Sequence, residues 1–311
     1  MVTNQEYDGQ FFKASLQASQ ALLEQHREEI NELNVFPVPD GDTGTNMLLT
    51  VRGAVKGVIN SLENSAGKVA AVAARSALLA ARGNSGVLFS QILMGIARGL
   101  EGKVHFSPAD FAQALTLGAE KAYNTLVNPV EGTILTVINE AAKAARQAAQ
   151  QGANLARMMD EVVLYAQAAI ERTPELLPVL KEAGVVDAGG QGLYYILEAM
   201  RSCAWEIGGL SPVSARTQSV SPLLGTEQSY GYEIQLLIRG QDLPLEETRQ
   251  RIAEMGESVL VVGDENLIRV HVHTPRPDRV LAYALDLGRV EDISVENLDQ
   301  QVRSVASERN R

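Results

Sequence analysis

Two aspartates that stand two residues apart, Asp40 and Asp42, lie in the segment NVFPVPDGDTGTNM of residues 34–47. The two prolines before them restrict the backbone, so the chain approaches the pair as a stiff, extended segment. From Thr43 onward apolar residues recur at steps of three and four, which predicts a helix with Asp42 near its N-cap. The positive potential of a helix N-terminus favours ionised carboxylates, and carboxylates bind Mg²⁺ together with phosphate oxygens. The spacing therefore predicts a site for metal-bound phosphate, although ordinary turn and capping residues show the same pattern.

A second candidate phosphate-binding segment is RGNSG, residues 82–86, which precedes a predicted helix. Free backbone N–H groups at a helix start suit phosphate oxygens, and glycine allows a ligand to approach the backbone. Ser85 acting as a simple N-cap would explain the same residues. Two more breaks between predicted helices are rich in glycine and polar groups, NPVEGT at residues 128–133 and GVVDAGGQG at residues 184–192. All of these candidate phosphate loops lie before residue 208.

Two histidines, His271 and His273, lie in the segment RVHVHTP of residues 269–275. Because side chains alternate along a strand, both histidines share one face, while Val270 and Val272 share the face that we expect to meet the core. This is metal-ligand spacing on a strand. A zinc site needs three or four protein ligands, so the pair alone is incomplete.

The composition limits the class of protein. With 311 residues the chain is long enough for two domains. A formal net charge of -11 and a pI near 5.0 argue against a nucleic-acid partner, which would be bound through clustered Lys and Arg. The sequence has no apolar run of 18 residues and no basic-then-apolar start, so we expect a soluble cytoplasmic protein without membrane insertion. The single cysteine, Cys203, excludes an internal disulfide and is predicted to be a core thiol.

The first part of the chain is predicted to be helical throughout. Apolar periodicity and Gly, Pro or Asn breaks indicate about eight or nine helices and no strand before residue 208. Besides the helix that begins at Thr43, the runs are residues 5–31, 66–82, 87–100, 108–126, 133–150, 155–172 and 192–207. This pattern favours a closed antiparallel helical assembly.

The second part has the sequence pattern of a small α/β domain. Residues 209–229 are dense in Ser, Gly and Pro and are predicted to be a linker between domain 1–208 and domain 230–299. Strands are predicted at residues 232–239, 259–262, 267–272 and 290–295, and helices at 244–255 and 277–287. The order β-α-β-β-α-β indicates a ferredoxin-like sandwich. The charged tail, residues 300–311, is expected to fray.

The segment around the two aspartates resembles the diagnostic segment of the L-type kinase domain, which dihydroxyacetone kinase and the catalytic subunit of bacterial fatty acid kinase share. Its form NVFPVPDGDTGTN is similar to the fatty acid kinase version, and the resemblance covers nearly the whole chain. The resemblance implies an eight-helix antiparallel barrel that binds ATP or ADP at one end, with two Mg²⁺ ions held by Asp40 and Asp42. Dihydroxyacetone kinases have a third Asp, for which Asn34 is the nearest equivalent, and an amide oxygen can bind Mg²⁺ or its water. Full family members carry a further C-terminal domain, whereas this sequence stops at Arg311.

The resemblance also implies contacts between the glycine-rich breaks and the nucleotide. The matching Ser-Gly of the family contacts phosphate, and the second break lies near the adenine and phosphates. Asp187 of the third break either contacts the ribose or orders the loop, with an Asx turn as the alternative. The nucleotide-binding residues implied in this way are Asn46, Asn84, Ser85, Gly86, Thr133, Asp187 and Gly189.

The strand with the two histidines resembles the middle domain of the catalytic chain of fatty acid kinase. In that domain a Cys after Tyr-Gly-Tyr joins the two His as a zinc ligand. Here Glu233 follows the Tyr-Gly-Tyr. A carboxylate can replace a thiolate with a lower preference for soft metals, so Glu233, His271 and His273 either form a Zn²⁺ site or have become a polar patch.

The function that these features indicate is an ATP-dependent kinase subunit that converts a fatty acid into an acyl phosphate. Phosphoryl transfer requires mainly positioning and charge neutralisation. A fatty acid carboxylate is already ionised at neutral pH, so it needs no general base. The resemblance implies a DegV-like fatty-acid-binding carrier protein as the partner and leaves a homodimer open. The alternatives are a small-polyol kinase of the dihydroxyacetone type, whose base would come from another subunit, or a non-catalytic nucleotide-binding scaffold.

Overall fold

The computed structural model describes residues 6–207 and 229–309. The first of these two parts consists of helices. In chain order they are α1 (Gly9–Gln25), α2 (Arg27–Glu32), α3 (Thr43–Val58), α4 (Ala66–Ala80), α5 (Gly83–Gly99), α6 (Pro108–Tyr123), α7 (Ile134–Gln150), α8 (Leu155–Glu171), α9 (Thr173–Leu176), α10 (Pro178–Ala183) and α11 (Ala188–Ile207). None of the described helices is both long and apolar enough to cross a membrane.

The long helices form a closed ring. Helices α1, α3, α4, α5, α6, α7, α8 and α11 each pack against the next one, and α11 returns to α1. Short connections make neighbours antiparallel, and apolar side chains fill the interior. The alanines of α4, including Ala70, Ala73 and Ala77, are buried and let its neighbours pack closely. The predicted eight-helix antiparallel barrel is confirmed.

The second part is a four-stranded antiparallel sheet with three helices. Its elements are β1 (Tyr232–Arg239), α12 (Leu245–Ala253), β2 (Glu257–Asp264), β3 (Leu267–Thr274), α13 (Pro277–Leu287), β4 (Arg289–Asn297) and α14 (Leu298–Arg309). The strand order is β2-β3-β1-β4, and every pairing is antiparallel. This order confirms the predicted ferredoxin-like domain.

The sheet lies between its own helices and the barrel. One face packs on α12 and α13 through the apolar side chains Ile234, Leu236, Val270, Val272 and Val280. On the other face Leu260 and Val262 join the core of the barrel. Arg75 of α4 pairs with Asp264 of β2 at 2.5 Å. The two domains therefore pack directly on each other, and the face with His271 and His273 meets the barrel instead of solvent.

Several elements differ from the sequence-based expectation. The first predicted helix is divided at His26, whose ψ of 11° is not helical. The helices predicted from residues 87 and 192 begin four residues earlier, because the glycine-rich segments before them fold as the first turns of α5 and α11. The tail that was expected to fray forms α14, whose Val305 side chain lies against Gly41. The predicted linker, residues 209–229, lies outside the described residues except for residue 229.

Candidate functional site

The two aspartates lie on the loop of residues 40–42, here called the acid loop, which leads into α3. The side chain of Asn34 holds this loop in place. Its Nδ2 donates to the carbonyl of Val38 at 2.6 Å, and its Oδ1 accepts from the N–H of Thr43 at 3.1 Å and from the Thr43 hydroxyl. The amide oxygen of Asn34 is thus engaged within the protein. To serve as the predicted Mg²⁺ ligand, this oxygen would have to bind the ion while it also accepts from Thr43.

The first turn of α3 is capped by a residue that the sequence did not indicate. Oδ1 of Asn31 accepts from the N–H groups of Gly44 at 2.8 Å and Thr45 at 3.2 Å. Asp42 occupies the N-cap position, but its side chain makes no capping hydrogen bond. The Asp42 carboxylate is therefore left for the cleft, where the amide of Asn46 donates to it. Asn31 lies within α2, twelve residues before the start of α3, so the sequence next to α3 did not indicate it.

The acid loop lies in a region of strongly negative electrostatic potential. Burial raises the pKa of Asp40 well above its ordinary value, and the charges of Asp42 and Glu233 raise it further. Burial, followed by the charge of Glu233, raises the pKa of Asp42 to about 6, and Glu296 adds to this effect. Several carboxylates thus face one another with little solvent to screen them. Such a group of oxygens fits a hard divalent cation, which would relieve the repulsion.

The starts of four barrel helices meet beside the acid loop. A Cβ on Gly83 would lie only 2.4 Å from Nδ2 of Asn46, so the start of α5 touches the first turns of α3. A Cβ on Gly189 would lie 2.9 Å from Oγ of Ser85 and 3.4 Å from Cβ of Ile134, so α11, α5 and α7 also begin together. Helix N-termini carry positive partial charge and suit anions. The arrangement places this positive potential next to the carboxylates.

The start of α5 offers two open N–H groups. Gly83 has a φ of +58°, a conformation that glycine adopts readily, and its N–H donates to Oε1 of Gln235 at 3.2 Å. The N–H of Gly86 donates to the carbonyl of Arg82 at 3.1 Å. The N–H groups of Asn84 and Ser85 have no hydrogen-bond partner among residues 6–207 and 229–309. They are therefore available to an anion such as phosphate.

The other two glycine-rich breaks, residues 128–133 and 184–192, lead into α7 and α11 at this end of the barrel. Thr133 caps α7, because its hydroxyl accepts from the N–H of Leu135 at 3.3 Å. Oδ2 of Asp187 accepts from the N–H of Gly190 at 2.7 Å, and burial raises the pKa of Asp187 to about 7. Only 6% of Asp187 is exposed, and its carboxylate is used within the protein, where its hydrogen bond with Gly190 orders the start of α11. Its contact with ribose stays a prediction.

Glu233, His271 and His273 come together on the face of the sheet that meets the barrel. Glu233 pairs with His273 across β1 and β3. Its Oε2 lies 3.5 Å from Nε2 of His273 and 3.9 Å from Nδ1 of His271. Neither ring nitrogen of His271, nor Nε2 of His273, has a hydrogen-bond partner within the described chain. Buried polar atoms rarely remain unpaired, and one ligand atom from each residue lies within 4.8 Å of the others, so the three residues fit a metal ion.

The electrostatics of the three residues also suit a metal. Burial lowers the pKa of His271 to about 4, so its imidazole is neutral at pH 7, which is the form that binds metals. Burial by itself would raise the pKa of Glu233, but the nearby imidazoles of His271 and His273 and a hydrogen bond from Gln235 hold this pKa well below its ordinary value. Glu233 therefore supplies an ionised oxygen.

The candidate Mg²⁺ ligands of the acid loop and the candidate Zn²⁺ ligands of the sheet meet at one cleft of about 320 Å³. Of the predicted site residues, its lining includes Asn34, Asp40, Asp42, Asn46, Asn84, Ser85, Glu233 and His273. Gly86, Thr133, Asp187, Gly189 and His271 lie behind this lining. The sequence placed the aspartates and the histidines in different domains and gave no signal that they face one another.

A charged network across the domain boundary also escaped sequence reasoning. Arg82, which directly precedes the start of α5, pairs with Asp292 of β4 through two contacts of 2.7 and 2.8 Å. The fully buried Arg269 donates to Asp292 at 3.3 Å and to the carbonyl of Leu79 at 3.1 Å. Burial lowers the pKa of Arg269 to about 10, so the side chain stays charged at neutral pH. The second domain thus binds the end of α4 through the carbonyl of Leu79 and the residue before α5 through the side chain of Arg82.

Comparison with known proteins agrees with this division of the chain. Residues 37–202 match the DAK2 domain, and residues 229–305 match the FakA-like middle domain of fatty acid kinase. The chain is 36% identical over 321 residues to Protein YloV of Bacillus subtilis, covering 98% of this chain and 58% of that protein. It is also 36% identical over 313 residues to an uncharacterized protein, SSP1546, of Staphylococcus saprophyticus, covering 96% of this chain and 56% of that protein.

Among solved structures, dihydroxyacetone kinase from C. freundii in complex with AMP-PNP and Mg²⁺ matches 64% of this chain and 35% of its own, with a TM-score of 0.48 and 20% identity. The present chain spans about half the length of the curated relatives that it matches. The DAK2 match alone covers more than half of the chain and contains both the acid loop and the start of α5. The chain therefore belongs to the DAK2 domain family and shares the domain order of fatty acid kinase catalytic subunits, in which the DAK2 domain precedes the middle domain.

Proposed function

We propose that this chain is the nucleotide-binding part of an ATP-dependent kinase that phosphorylates a fatty acid carboxylate to an acyl phosphate. The observation that carries the proposal is the cleft in which Asp40 and Asp42 face the open N–H groups of Asn84 and Ser85. Carboxylates that fit divalent cations, next to N–H donors that fit phosphate, are what a Mg·ATP site requires. The family membership supports the same reading.

Each residue then has a defined task. Asp40 and Asp42, with Asn34 beside them, would hold Mg²⁺, which when bound neutralises charge on the phosphates. The backbone at Asn84 and Ser85 donates to phosphate oxygens, and Asn46 orients the Asp42 carboxylate. Gly86, Thr133, Asp187 and Gly189 keep the helix starts together so that these donors converge.

The acceptor is proposed to be a fatty acid held by a DegV-like carrier protein in the cytoplasm. Its carboxylate is ionised at neutral pH and attacks the γ-phosphate without losing a proton, so the kinase needs no base. A second candidate, a small-polyol kinase, is favoured by one observation. The imidazole of His273 lines the cleft, and a hydroxyl acceptor would need such a group. We assign His273 instead to a single Zn²⁺ together with Glu233 and His271, because both histidines have buried, unpaired ring nitrogens and the three side chains offer ligand atoms close together.

The test is phosphoryl transfer from Mg·ATP to different acceptors. The protein is incubated with a carrier-bound fatty acid, with dihydroxyacetone, or with no acceptor; ADP formation is measured in each case, and acyl phosphate is trapped with hydroxylamine. We expect hydroxamate only with the carrier-bound fatty acid, and none with the isosteric variant Asp40→Asn. Transfer to dihydroxyacetone would favour the polyol kinase. Binding of Mg·ADP in calorimetry without transfer to either acceptor would favour a scaffold.

A further inference from the structure

We propose that Gln235 of the second domain is a positioning residue for the start of α5, and that it determines which N–H groups of this helix remain open to nucleotide phosphate. The inference rests on the proposed nucleotide site. It assigns to the second domain a task in phosphate binding that is separate from metal binding.

The side chain of Gln235 joins the two domains through both ends of its amide. It is 3% exposed, its Oε1 accepts from the N–H of Gly83 at 3.2 Å, and its Nε2 donates to Oε1 of Glu233. An ionised carboxylate can only accept hydrogen bonds. Glu233 therefore attracts the Nε2 end of the amide and leaves Oε1 facing Gly83. The charge on one strand position thus fixes the orientation of the next side chain on the same face.

This orientation settles the hydrogen bonds of the first helical turn. A helix leaves its first four N–H groups without partners inside the helix. Gln235 accepts from that of Gly83, and the helix's own hydrogen bonds begin only with the N–H of Gly86, which donates to the carbonyl of the N-cap residue Arg82. The groups of Asn84 and Ser85 between them stay open. If Gln235 lost its acceptor, the buried N–H of Gly83 would be unsatisfied and the turn would shift to find another partner, which would move both open donors.

A purely structural role at the domain interface makes a different prediction, and the chain offers a matched control. Arg75 pairs with Asp264 across the same interface but does not line the cleft. Arg75→Gln removes that interdomain contact and leaves the start of α5 untouched. Gln235→Met keeps the length and volume of the side chain and removes both hydrogen bonds to the cleft. If interface strength alone mattered, the two variants would behave alike.

The experiment measures Mg·ADP affinity by calorimetry and amide hydrogen exchange at Gly83 in the full chain. We expect Gln235→Met to weaken Mg·ADP binding by about 5- to 30-fold, as for loss of one buried hydrogen bond, and to speed exchange at Gly83. Arg75→Gln should change the affinity by less than about twofold.

Two results would overturn the inference. Unchanged affinity and unchanged Gly83 exchange in Gln235→Met, with normal binding by the parent, would remove Gln235 from phosphate positioning and leave the proposed function intact. If the parent itself bound no Mg·ADP, the proposed function would fail together with the inference.

Discussion

Binding of a divalent cation at the acid loop should depend on pH, and Glu233 should set the pH range. Burial and the charge of Glu233 raise the pKa of Asp42 to about 6. Relative to an ordinary aspartate near 3.9, this corresponds to about 3 kcal/mol of destabilisation of the ionised form, which a bound cation relieves. Protons compete for the same carboxylate, so Mg²⁺ affinity should fall by about tenfold per pH unit below pH 6. The raised pKa of Asp40 should steepen this loss.

The informative perturbation is Glu233→Gln, which removes the charge and keeps the shape. The pKa of Asp42 should then fall, so the midpoint of the pH profile should move below 6. It should stay above the reference value of about 3.9, because burial is the larger cause and is retained. At pH 8 the variant should bind the cation more weakly than the parent, since one attracting carboxylate is gone.

The assay is titration with Mn²⁺, followed by electron paramagnetic resonance, between pH 4 and pH 8. Glu254→Gln makes the same charge change at an exposed position of the second domain outside the cleft and should leave the profile unchanged. A midpoint near 4 in the parent would refute the argument that burial and Glu233 raise the pKa of Asp42. An identical midpoint in Glu233→Gln would refute the part assigned to Glu233.

Three further predictions concern individual residues. The pKa of Asp187 is higher in the folded state, about 7, than in the unfolded chain, so its contribution to stability is present at low pH and is lost as the pH rises through 7. Relative to Asp187→Asn, the unfolding free energy of the parent should therefore fall by about 2 to 3 kcal/mol between pH 5 and pH 7 in denaturant titrations, and a constant difference would contradict this. Asn31→Ala should lower the unfolding free energy by about 1 kcal/mol through loss of the α3 cap, whereas no loss would show that water replaces it. Protein purified without chelator should contain at most one Zn²⁺ per chain and none in His271→Ala, and zinc that persists in this variant would exclude the assigned site.

Much of the fold could be predicted because its signals are local. Helical periodicity, the β-α-β-β-α-β order and the alternation on β3 each depend on a few consecutive residues, and the structure confirms the barrel and the ferredoxin-like sheet. The acid loop was equally visible, because its prolines and glycines restrict the backbone on their own. The glycine-rich starts of α5 and α11 were predicted as loops because glycine usually breaks a helix. Here the glycines allow close approach between helices, as Gly189 does toward Ser85.

The parts of the site that could not be predicted depend on distant contacts. Asn31 caps a helix that begins twelve residues later, and Gln235 accepts from a residue 152 positions away. Alternation showed that the two histidines share a face, but it cannot tell whether that face meets solvent or another domain. That choice depends on how the sheet packs on the barrel, to which Leu260 and Val262 contribute apolar contacts.

The alternation on β1 makes the small domain part of the cleft rather than an appendage. Glu233 and Gln235 point toward the barrel, while Ile234 and Leu236 between them are fully buried in the core of the small domain. One strand therefore builds the core of its own domain with one face and completes the cleft with the other. A shift of β1 by one residue would exchange the two sets, placing charges in the core and apolar groups in the cleft. The apolar core of the small domain thus fixes the register that brings Glu233 opposite the acid loop.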